Sequence, residues 1–152
     1  MEATAPTVTI SLTVSNGAQA MDFYRSAFEA VEHYRLAQPN GAIAHAELSI
    51  RGTTLYLSEE APDWHARALP EGQLAPCLFA ISSEDVDGDY DRAVAAGARS
   101  LTPPRDEFFG MRSAMVADPF GYRWSFGKVV EQLTPREIEE RAKAFYEGLT
   151  EG

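Results

Sequence analysis

Cysteine, histidine and basic side chains are scarce in this sequence of 152 residues. Its one cysteine, Cys77, excludes an intrachain disulfide. There is no charged-then-apolar leader and no apolar run of about 18 residues, so we expect a cytoplasmic protein without a membrane segment. The 13 Lys and Arg residues against 23 Asp and Glu give a net charge of −10, which repels phosphate backbones and anionic headgroups. We therefore expect no nucleic-acid partner and no membrane partner.

The first half of the chain has a pattern that predicts a βαβββ module. Residues 7–14 alternate between apolar and hydroxyl side chains, which is the period of a half-buried strand. Asn16 is placed to cap a helix over residues 17–29. Three β-rich stretches follow, separated by Pro39-Asn40-Gly41 and by Arg51-Gly52. These strands are predicted at residues 31–37, 42–50 and 53–58.

The second half repeats this order after a loop predicted over residues 59–75. A strand at 77–82 precedes a helix at 85–96, which Gly97 is placed to end. A short strand at 99–102 is expected to break at Pro103 and Pro104. Two more strands are predicted, at residues 112–117 and 122–128, joined by a turn. A capping box at Thr134, followed by Pro135, predicts a tail helix to about residue 146.

Residues as well as elements recur between the halves. A shift of 67 positions brings residues 22–25 onto 89–92, and a shift of 69 brings Gly41 onto Gly110 and Gly52 onto Gly121. The two helices and the two hairpins are therefore predicted to be equivalent. An internal repeat of this kind bears on the whole fold more than any local signal does.

Several short motifs, in their order and spacing, resemble one known superfamily. They are Leu12-Thr13-Val14, Phe23-Tyr24, the strand IAHAEL at 43–48, Asp85-Val86-Asp87, the run AAGA at 95–98, Gly110-Met111-Arg112, and DPFGYRW at 118–124. The chain resembles the vicinal oxygen chelate superfamily of glyoxalases, bleomycin-resistance proteins and extradiol dioxygenases, and more narrowly its PhnB-like branch. The resemblance runs from about Thr7 to the tail helix.

The resemblance implies an α+β fold in which two βαβββ modules form paired half-cup sheets around one cavity, followed by a C-terminal helix. We accordingly expect a single domain with module one at residues 7–58, a linker loop at 59–75, module two at 76–128 and the helix at 134–147. The 45% of hydrophobic residues is enough for one sizeable core.

The resemblance also implies where a metal would be held, by four side chains on the first and last strands of the modules. The corresponding residues here are Thr9, Tyr56, Cys77 and Ser125. None is His, Asp or Glu, and the set suits neither zinc, nickel nor iron. We therefore expect no metal and no other cofactor, although a slip of two residues in this mapping would change the ligand set.

One His-carboxylate pair is predicted on a single strand face. His45 and Glu47 lie two residues apart, which separates them by about 6.6 Å along a strand. This pair is a candidate acid and base, and a purely structural hydrogen bond would have the same pattern. Arg112, near a predicted cavity, is either an anion clamp or the partner of Asp106, Glu107 or Asp118 in a salt bridge.

The remaining candidates are side chains predicted to line the cavity. A hydroxylated strand face, the aromatic residues that follow the loop at Asp106-Glu107, and the mapped metal positions supply most of them. They are Thr9, Ser11, Tyr56, Cys77, Phe79, Phe108, Phe109, Arg112 and Ser125. The hydroxyl face is equally typical of a solvent-facing edge strand, and Cys77 of an inert thiol. Trp64 is a further candidate beside Phe108 and Phe109.

Three functions are compatible with these predictions. The favoured one is a metal-independent protein of the glyoxalase/bleomycin-resistance type that binds a small organic ligand. The others are a lyase or isomerase with His45 and Glu47 as acid and base, and a metal-dependent enzyme with displaced ligands. An apolar stripe along the tail helix further predicts a homodimer. Its residues are Leu133, Ile138, Ala142, Phe145 and Tyr146.

Overall fold

The computed structural model describes residues 8–152, so Thr7 of the predicted first strand lies outside the described residues. The described chain forms two βαβββ modules and a tail helix. Module one consists of β1 (Ile10–Val14), α1 (Gly17–Phe28), β2 (Val31–Ala37), β3 (Ile43–Ile50) and β4 (Thr53–Glu59). Module two consists of β5 (Leu78–Ser82), α2 (Val86–Ala96), β6 (Arg99–Asp106), β7 (Met111–Ala117) and β8 (Arg123–Val129). The tail helix is α3 (Pro135–Thr150).

Each module folds into one four-stranded sheet with the same strand order. Sheet one is ordered β1-β4-β3-β2 and sheet two β5-β8-β7-β6. The first strand of each module pairs in parallel with the last strand, and the other pairs are antiparallel. The equivalence of the two halves, predicted from the internal repeat, is confirmed.

Side-chain caps begin the three helices where the sequence predicts them. The amide oxygen of Asn16 and a carboxylate oxygen of Asp85 each accept a hydrogen bond, at 3.0 Å, from the backbone N–H three residues further along the chain. Thr134 and Glu137 form the reciprocal capping box of α3. Gly97 ends α2 with a φ of 119°, a left-handed conformation that favours glycine. The tail helix extends beyond the predicted end, to Thr150.

The predicted break at Pro103 and Pro104 is wrong, because β6 continues through both prolines to Asp106. This strand lies at the edge of sheet two, so the outer side of its backbone needs no pairing partner. Its register with β7 is irregular between Thr102 and Arg105, around the prolines. Proline lacks the N–H that a central strand requires, and an irregular edge strand tolerates this loss.

The two modules share one hydrophobic core between their helices and sheets. From α1, the buried rings of Tyr24 and Phe28 pack against Trp124 of β8, with ring centroids 5.6 and 4.6 Å apart. The Tyr122 hydroxyl accepts a hydrogen bond from the Thr13 N–H and donates one to the Thr13 carbonyl oxygen. Side chains of module one therefore complete the packing of module two.

A buried carboxylate fixes the turn between β7 and β8. Oδ2 of Asp118 accepts hydrogen bonds from the Tyr24 hydroxyl and the Trp124 indole N–H. Oδ1 accepts from the backbone N–H groups of Phe120 and Tyr122, at 2.8 and 3.0 Å. Burial raises the pKa of Asp118, an effect that these four hydrogen bonds oppose. Burial and the adjacent carboxylate also raise the pKa of Tyr24 well above its ordinary value.

Among residues 8–152, no helix has the length and apolar character that a membrane span requires.

Candidate ligand-binding faces

One face of each sheet is covered by helices, and the other, which we call the open face, is partly exposed. In β8, Trp124 and Phe126 are buried against the helices, whereas Ser125 between them is not. In β3, Ala46 and Leu48 are buried in the same way. Since strand residues alternate between faces, the open faces carry the polar or small residues in between. These faces are the candidate binding surfaces.

The open face of sheet one holds a row of polar side chains. Ser11 of β1 lies opposite Tyr56 of β4, which in turn lies opposite Glu47 of β3. Glu47 lies opposite Tyr34 of β2. Thr9 precedes β1, two residues from Ser11 and on the same side by alternation. The structure thus brings these four predicted site residues and His45 to one surface, together with Tyr34, which was not predicted from the sequence.

His45 and Glu47 contact each other on this face. The His45 Nε2 atom lies 3.2 Å from Glu47 Oε1, and the side chains are 36% and 38% exposed. The His45 ring also meets the Tyr56 ring edge to face, with centroids 4.9 Å apart. An imidazole and a carboxylate in contact can pass a proton between them and keep access to solvent. This geometry is suited to acid-base chemistry on a molecule bound at this face.

The open face of sheet two contains a cavity of about 320 Å³. Ser113, Met115 and Ser125 form its base, on β7 and β8. Its apolar wall is aromatic and is formed by Phe108, Phe109 and Phe145. The Phe108 and Phe145 rings are 4.9 Å apart, so the tail helix closes one side of the cavity. The predicted residues Phe108, Phe109 and Ser125 therefore lie together, whereas Trp64 is 84% exposed on the linker and takes no part.

A polar group lies beside this aromatic wall. The Glu107 carboxylate accepts hydrogen bonds from Ser113 Oγ at 3.1 Å and from Arg105 Nε at 2.8 Å. Its side chain is only 15% exposed. Neither Glu107, Met115 nor Phe145 was predicted as a cavity residue. Met115 lies opposite Ser125 across β7 and β8, a pairing set by the register of the hairpin that joins these strands.

Arg112 does not reach the open face. By strand alternation it lies on the same face of β7 as Ala114 and Val116, which are buried against the helices. Its guanidinium forms two hydrogen bonds to Asp87 of α2, at 2.7 and 2.8 Å, and one to Asp106 at 3.1 Å. These contacts hold the pKa of Asp87 below its ordinary value. Of the two interpretations given above, the structure agrees with the salt bridge and not with an anion clamp.

Cys77 and Phe79 also lie away from the open face of sheet two. Strand β5 begins at Leu78, and Cys77 is exposed immediately before it. The Phe79 ring packs 4.7 Å from Trp124 on the helix-covered side. Ser11 pairs with Tyr56 in module one as Ala80 pairs with Ser125 in module two. Equivalent residues of the two modules therefore differ by 69 positions (80 − 11 and 125 − 56). The equivalent of Thr9 is therefore Leu78, one residue beyond the predicted Cys77.

The side chains at the mapped metal positions do not fit a transition metal. With Leu78 in place of Cys77, the four positions carry one aliphatic side chain and the hydroxyls of Thr9, Tyr56 and Ser125. Neutral hydroxyls and an aliphatic group are poor ligands for zinc, iron or nickel. Within the described part of the chain, no three His, Cys, Asp or Glu side chains lie close enough together to hold a metal ion.

A second cavity, of about 510 Å³, lies at the end of sheet two where the linker loop covers Arg99 and Ala117 of the open face. It is bounded by residues 68–74 of the linker loop and by the turn 118–121. The Ala75 N–H donates to the Gly121 carbonyl oxygen, and a Cβ added to Gly121 would lie 2.5 Å from the Gln73 carbonyl oxygen. The linker backbone therefore depends on glycine at position 121 for its approach to the turn.

Comparisons with known proteins agree with this architecture. A family model described as the glyoxalase/bleomycin resistance protein/dioxygenase superfamily matches residues 7–126. Two uncharacterized proteins are 36% identical to the chain over 137 residues, which is 88% of this chain. They are Mb0911c of Mycobacterium bovis, with 90% of its length covered, and Rv0887c of Mycobacterium tuberculosis H37Rv, with 81% covered.

Solved structures with the same fold are more distant in sequence. TioX from Micromonospora sp. ML1 has a TM-score of 0.66 at 22% identity, covering 82% of this chain and 99% of its own. A gene product of Arabidopsis thaliana, AT5G48480, has a TM-score of 0.67 at 23% identity with the same coverage. The fosfomycin resistance protein FosX of Listeria monocytogenes, solved with Mn(II) and sulfate, has a TM-score of 0.60 at 20% identity, covering 88% and 96%.

Proposed function

The chain belongs to the glyoxalase/bleomycin resistance protein/dioxygenase superfamily, and from this we propose that it is a metal-independent protein that binds a small organic ligand. The ligand lies in the cavity on the open face of sheet two. The observation that carries the proposal is that this cavity of about 320 Å³ combines an aromatic wall with a few polar groups, the usual composition of a ligand pocket.

The absence of metal ligands at the mapped positions supports the metal-independent part of the proposal. FosX, a fosfomycin resistance protein of similar fold, was solved with Mn(II). In this chain the equivalent strand positions carry hydroxyl and aliphatic side chains, which leaves no Lewis acid to polarise a substrate there. Binding through shape, apolar contact and hydrogen bonds is the role that the remaining side chains are suited to.

We expect purified, untagged protein to bind the neutral apolar probe N-phenyl-1-naphthylamine stoichiometrically without added metal. Ser125→Trp should raise the dissociation constant at least about tenfold, because the larger side chain fills the base of the cavity. Fluorescence titration measures the binding, and elemental analysis of the same unchelated protein measures its metal content.

The matched control is Thr53→Trp, which adds the same side chain at an exposed position at the start of β4. It should leave the dissociation constant within about twofold of the wild type. A full equivalent of a transition metal in the protein would contradict metal independence. Equal effects of the two substitutions would show that the probe does not bind in this cavity.

The contact between His45 and Glu47 favours a second candidate function, a lyase or isomerase reaction at the open face of sheet one. Nε2 of His45 and Oε1 of Glu47 are 3.2 Å apart and accessible to solvent, so the pair is placed to take a proton from one atom of a substrate and return it to another. Arg112 cannot hold an anion in such a reaction, since Asp87 and Asp106 already bind it.

If this second function is correct, a ligand found by thermal-shift screening should be converted during long incubation. Conversion should fall at least about 100-fold in both His45→Ala and Glu47→Gln, because general acid-base catalysis typically contributes that much or more. Mass spectrometry of the incubated ligand provides the measurement. A ligand recovered unchanged supports binding alone, and turnover that survives both substitutions excludes this pair as the catalytic acid and base.

We further propose that the protein is a cytoplasmic homodimer of the PhnB-like branch. The apolar side of α3 supports the dimer, because Phe145, Tyr146 and Leu149 are 43%, 60% and 62% exposed. The other three stripe residues, Leu133, Ile138 and Ala142, are only partly exposed. The single free cysteine is compatible with a reducing compartment.

A further inference from the structure

Arg123 is a charged side chain on the open face of sheet two, and it lacks an ion-pair partner among residues 8–152. It lies at the start of β8, two residues from Ser125, and alternation places both on the same face, opposite the buried Trp124. The side chain is partly exposed, but its Nε–H is buried and has no hydrogen-bond acceptor. Within residues 8–152, no carboxylate forms an ion pair with it.

The neighbours of Arg123 explain why it is unpaired. Its cross-strand neighbours are Leu78 on β5 and Ala117 on β7, and neither carries a polar side chain. By contrast, Arg105 on β6 binds Glu107, and Arg112 on β7 binds Asp87 and Asp106. The chain has 23 acidic residues and a net charge of −10. Even so, within residues 8–152 both Arg123 and Arg99, which pair with Ala117 from its two sides on this face, form no ion pair with a carboxylate.

An unpaired guanidinium is costly where it is shielded from water. Arginine keeps its positive charge, and a donor that is shielded from water without an acceptor destabilises the fold. An oxyanion from outside the chain would supply a compensating charge and acceptors for the Nη–H groups, which are not among the buried atoms, since guanidinium matches carboxylate, sulfonate and phosphonate groups with parallel hydrogen bonds. The side chain thus has the properties of an anion-binding residue.

The position of Arg123 relative to the cavity defines the kind of ligand. Its Cα lies about 6.6 Å along β8 from that of Ser125, which forms the base of the cavity. The aromatic wall of Phe108 and Phe145 lies beyond Ser125 and Met115, toward β6 and the tail helix. We propose that the ligand is an organic anion, whose apolar part occupies the cavity and whose oxyanion is bound by Arg123. This assignment rests on the binding function proposed above.

The test compares two fluorescent probes that differ in one charged group. 8-Anilinonaphthalene-1-sulfonate carries a sulfonate, and N-phenyl-1-naphthylamine is the same aromatic framework without it. In the wild type the sulfonate should increase affinity. Arg123→Gln should raise the dissociation constant of the sulfonate about tenfold, and leave that of the neutral probe within about twofold. Arg123→Lys, which keeps the charge but loses the planar fork, should have an intermediate effect.

Arg112→Gln is the matched control, because it removes an arginine of the same sheet that faces the helices and is already paired. It should leave both dissociation constants within about twofold. The assignment is overturned if Arg123→Gln weakens both probes equally, or neither, while the wild type binds the neutral probe in the cavity. Failure of the wild type to bind the neutral probe overturns the proposed function itself, and the assignment of Arg123 with it.

Discussion

Replacing Phe28 by alanine is expected to lower the free energy of unfolding by about 4 kcal/mol. Phe28 belongs to α1 of module one, is 1% exposed, and packs on Trp124 and Phe126 of module two with ring centroids 4.6 and 6.0 Å apart. Truncation removes the transfer free energy of a whole ring and leaves a cavity between the modules. Such a loss is a large part of the stability of an ordinary domain.

The same substitution tests the expectation that the chain is a single domain. If the modules share one cooperative core, Trp124 fluorescence in a Trp64→Phe background and far-ultraviolet circular dichroism should give coincident unfolding curves. Both curves should shift together in Phe28→Ala. Phe145→Ala, a matched change at a side chain 43% exposed on α3, should cost under about 1 kcal/mol. Separate transitions for the two modules would contradict a single domain.

The order of elements was predictable because local patterns and the repeat agree. Asn16, Asp85 and Thr134 have caps that depend on residues three positions on, so their signals are local in sequence. The strand order is not local, but the equivalent glycines Gly52 and Gly121 both mark the hairpins that precede the last strand of a module. The repeat therefore carried information about sheet topology that no single segment contains.

The break assigned to Pro103 and Pro104 failed because it depends on the place of the strand in the sheet. Proline removes a donor from any strand, and this matters only if that donor faces a neighbouring strand. Whether β6 is a central or an edge strand follows from the whole topology. The extra length of β6 brings Glu107 to the cavity next to the predicted Phe108, so this local error also concealed one polar residue of the candidate site.

The candidate site was predicted where the strand face was known and missed where the register slipped. Mapping Thr9 onto Cys77 used an offset of 68, whereas the strand pairs give 69. A shift of one residue moves a strand's side chains to the opposite face, which is why Cys77 and Phe79 were assigned to the cavity. No local property of residues 77–82 distinguishes the two registers.

The strand face on which Arg123 lies could have been predicted from the sequence. Trp124 and Phe126 were predicted to alternate away from Ser125, and the same alternation assigns Arg123 to the face of Ser125. Which carboxylates bind Arg112, and that none binds Arg123 among the described residues, is however set by tertiary contacts. Asp87 of α2 lies 25 positions from Arg112 in sequence, and only the folded chain shows that it occupies one arginine and not the other.

Replacing Asp118 by alanine is expected to lower the free energy of unfolding at neutral pH by about 4 kcal/mol. The buried Trp124 indole N–H and Phe120 backbone N–H and the partly buried Tyr122 backbone N–H would lose their acceptor, and each unsatisfied buried donor costs about 1–3 kcal/mol. The Tyr24 hydroxyl would lose its acceptor as well. Relief from burying the carboxylate, whose pKa burial raises, offsets part of this cost. Chemical denaturation measures the change. The dependence of the free energy of unfolding on denaturant concentration should be the same in the two proteins, which checks that only stability has changed.

Asp118→Asn separates the hydrogen bonds from the volume of the side chain. Its amide NH₂ would face either the Tyr24 hydroxyl and the Trp124 indole N–H or the two backbone N–H groups. The Tyr24 hydroxyl can turn to accept, but the N–H groups cannot, so at least one donor always meets another donor, and we expect a loss of about half that of alanine. In a Tyr24→Phe, Trp124→Phe background, where two donors are gone, Asp118→Ala should cost clearly less than in the wild type. Asp91→Asn, at an exposed acidic residue of α2, should change stability by under about 0.5 kcal/mol. Equal costs of Asp118→Ala in the two backgrounds would mean that the aspartate fixes the turn through its backbone contacts alone, independently of α1 and β8.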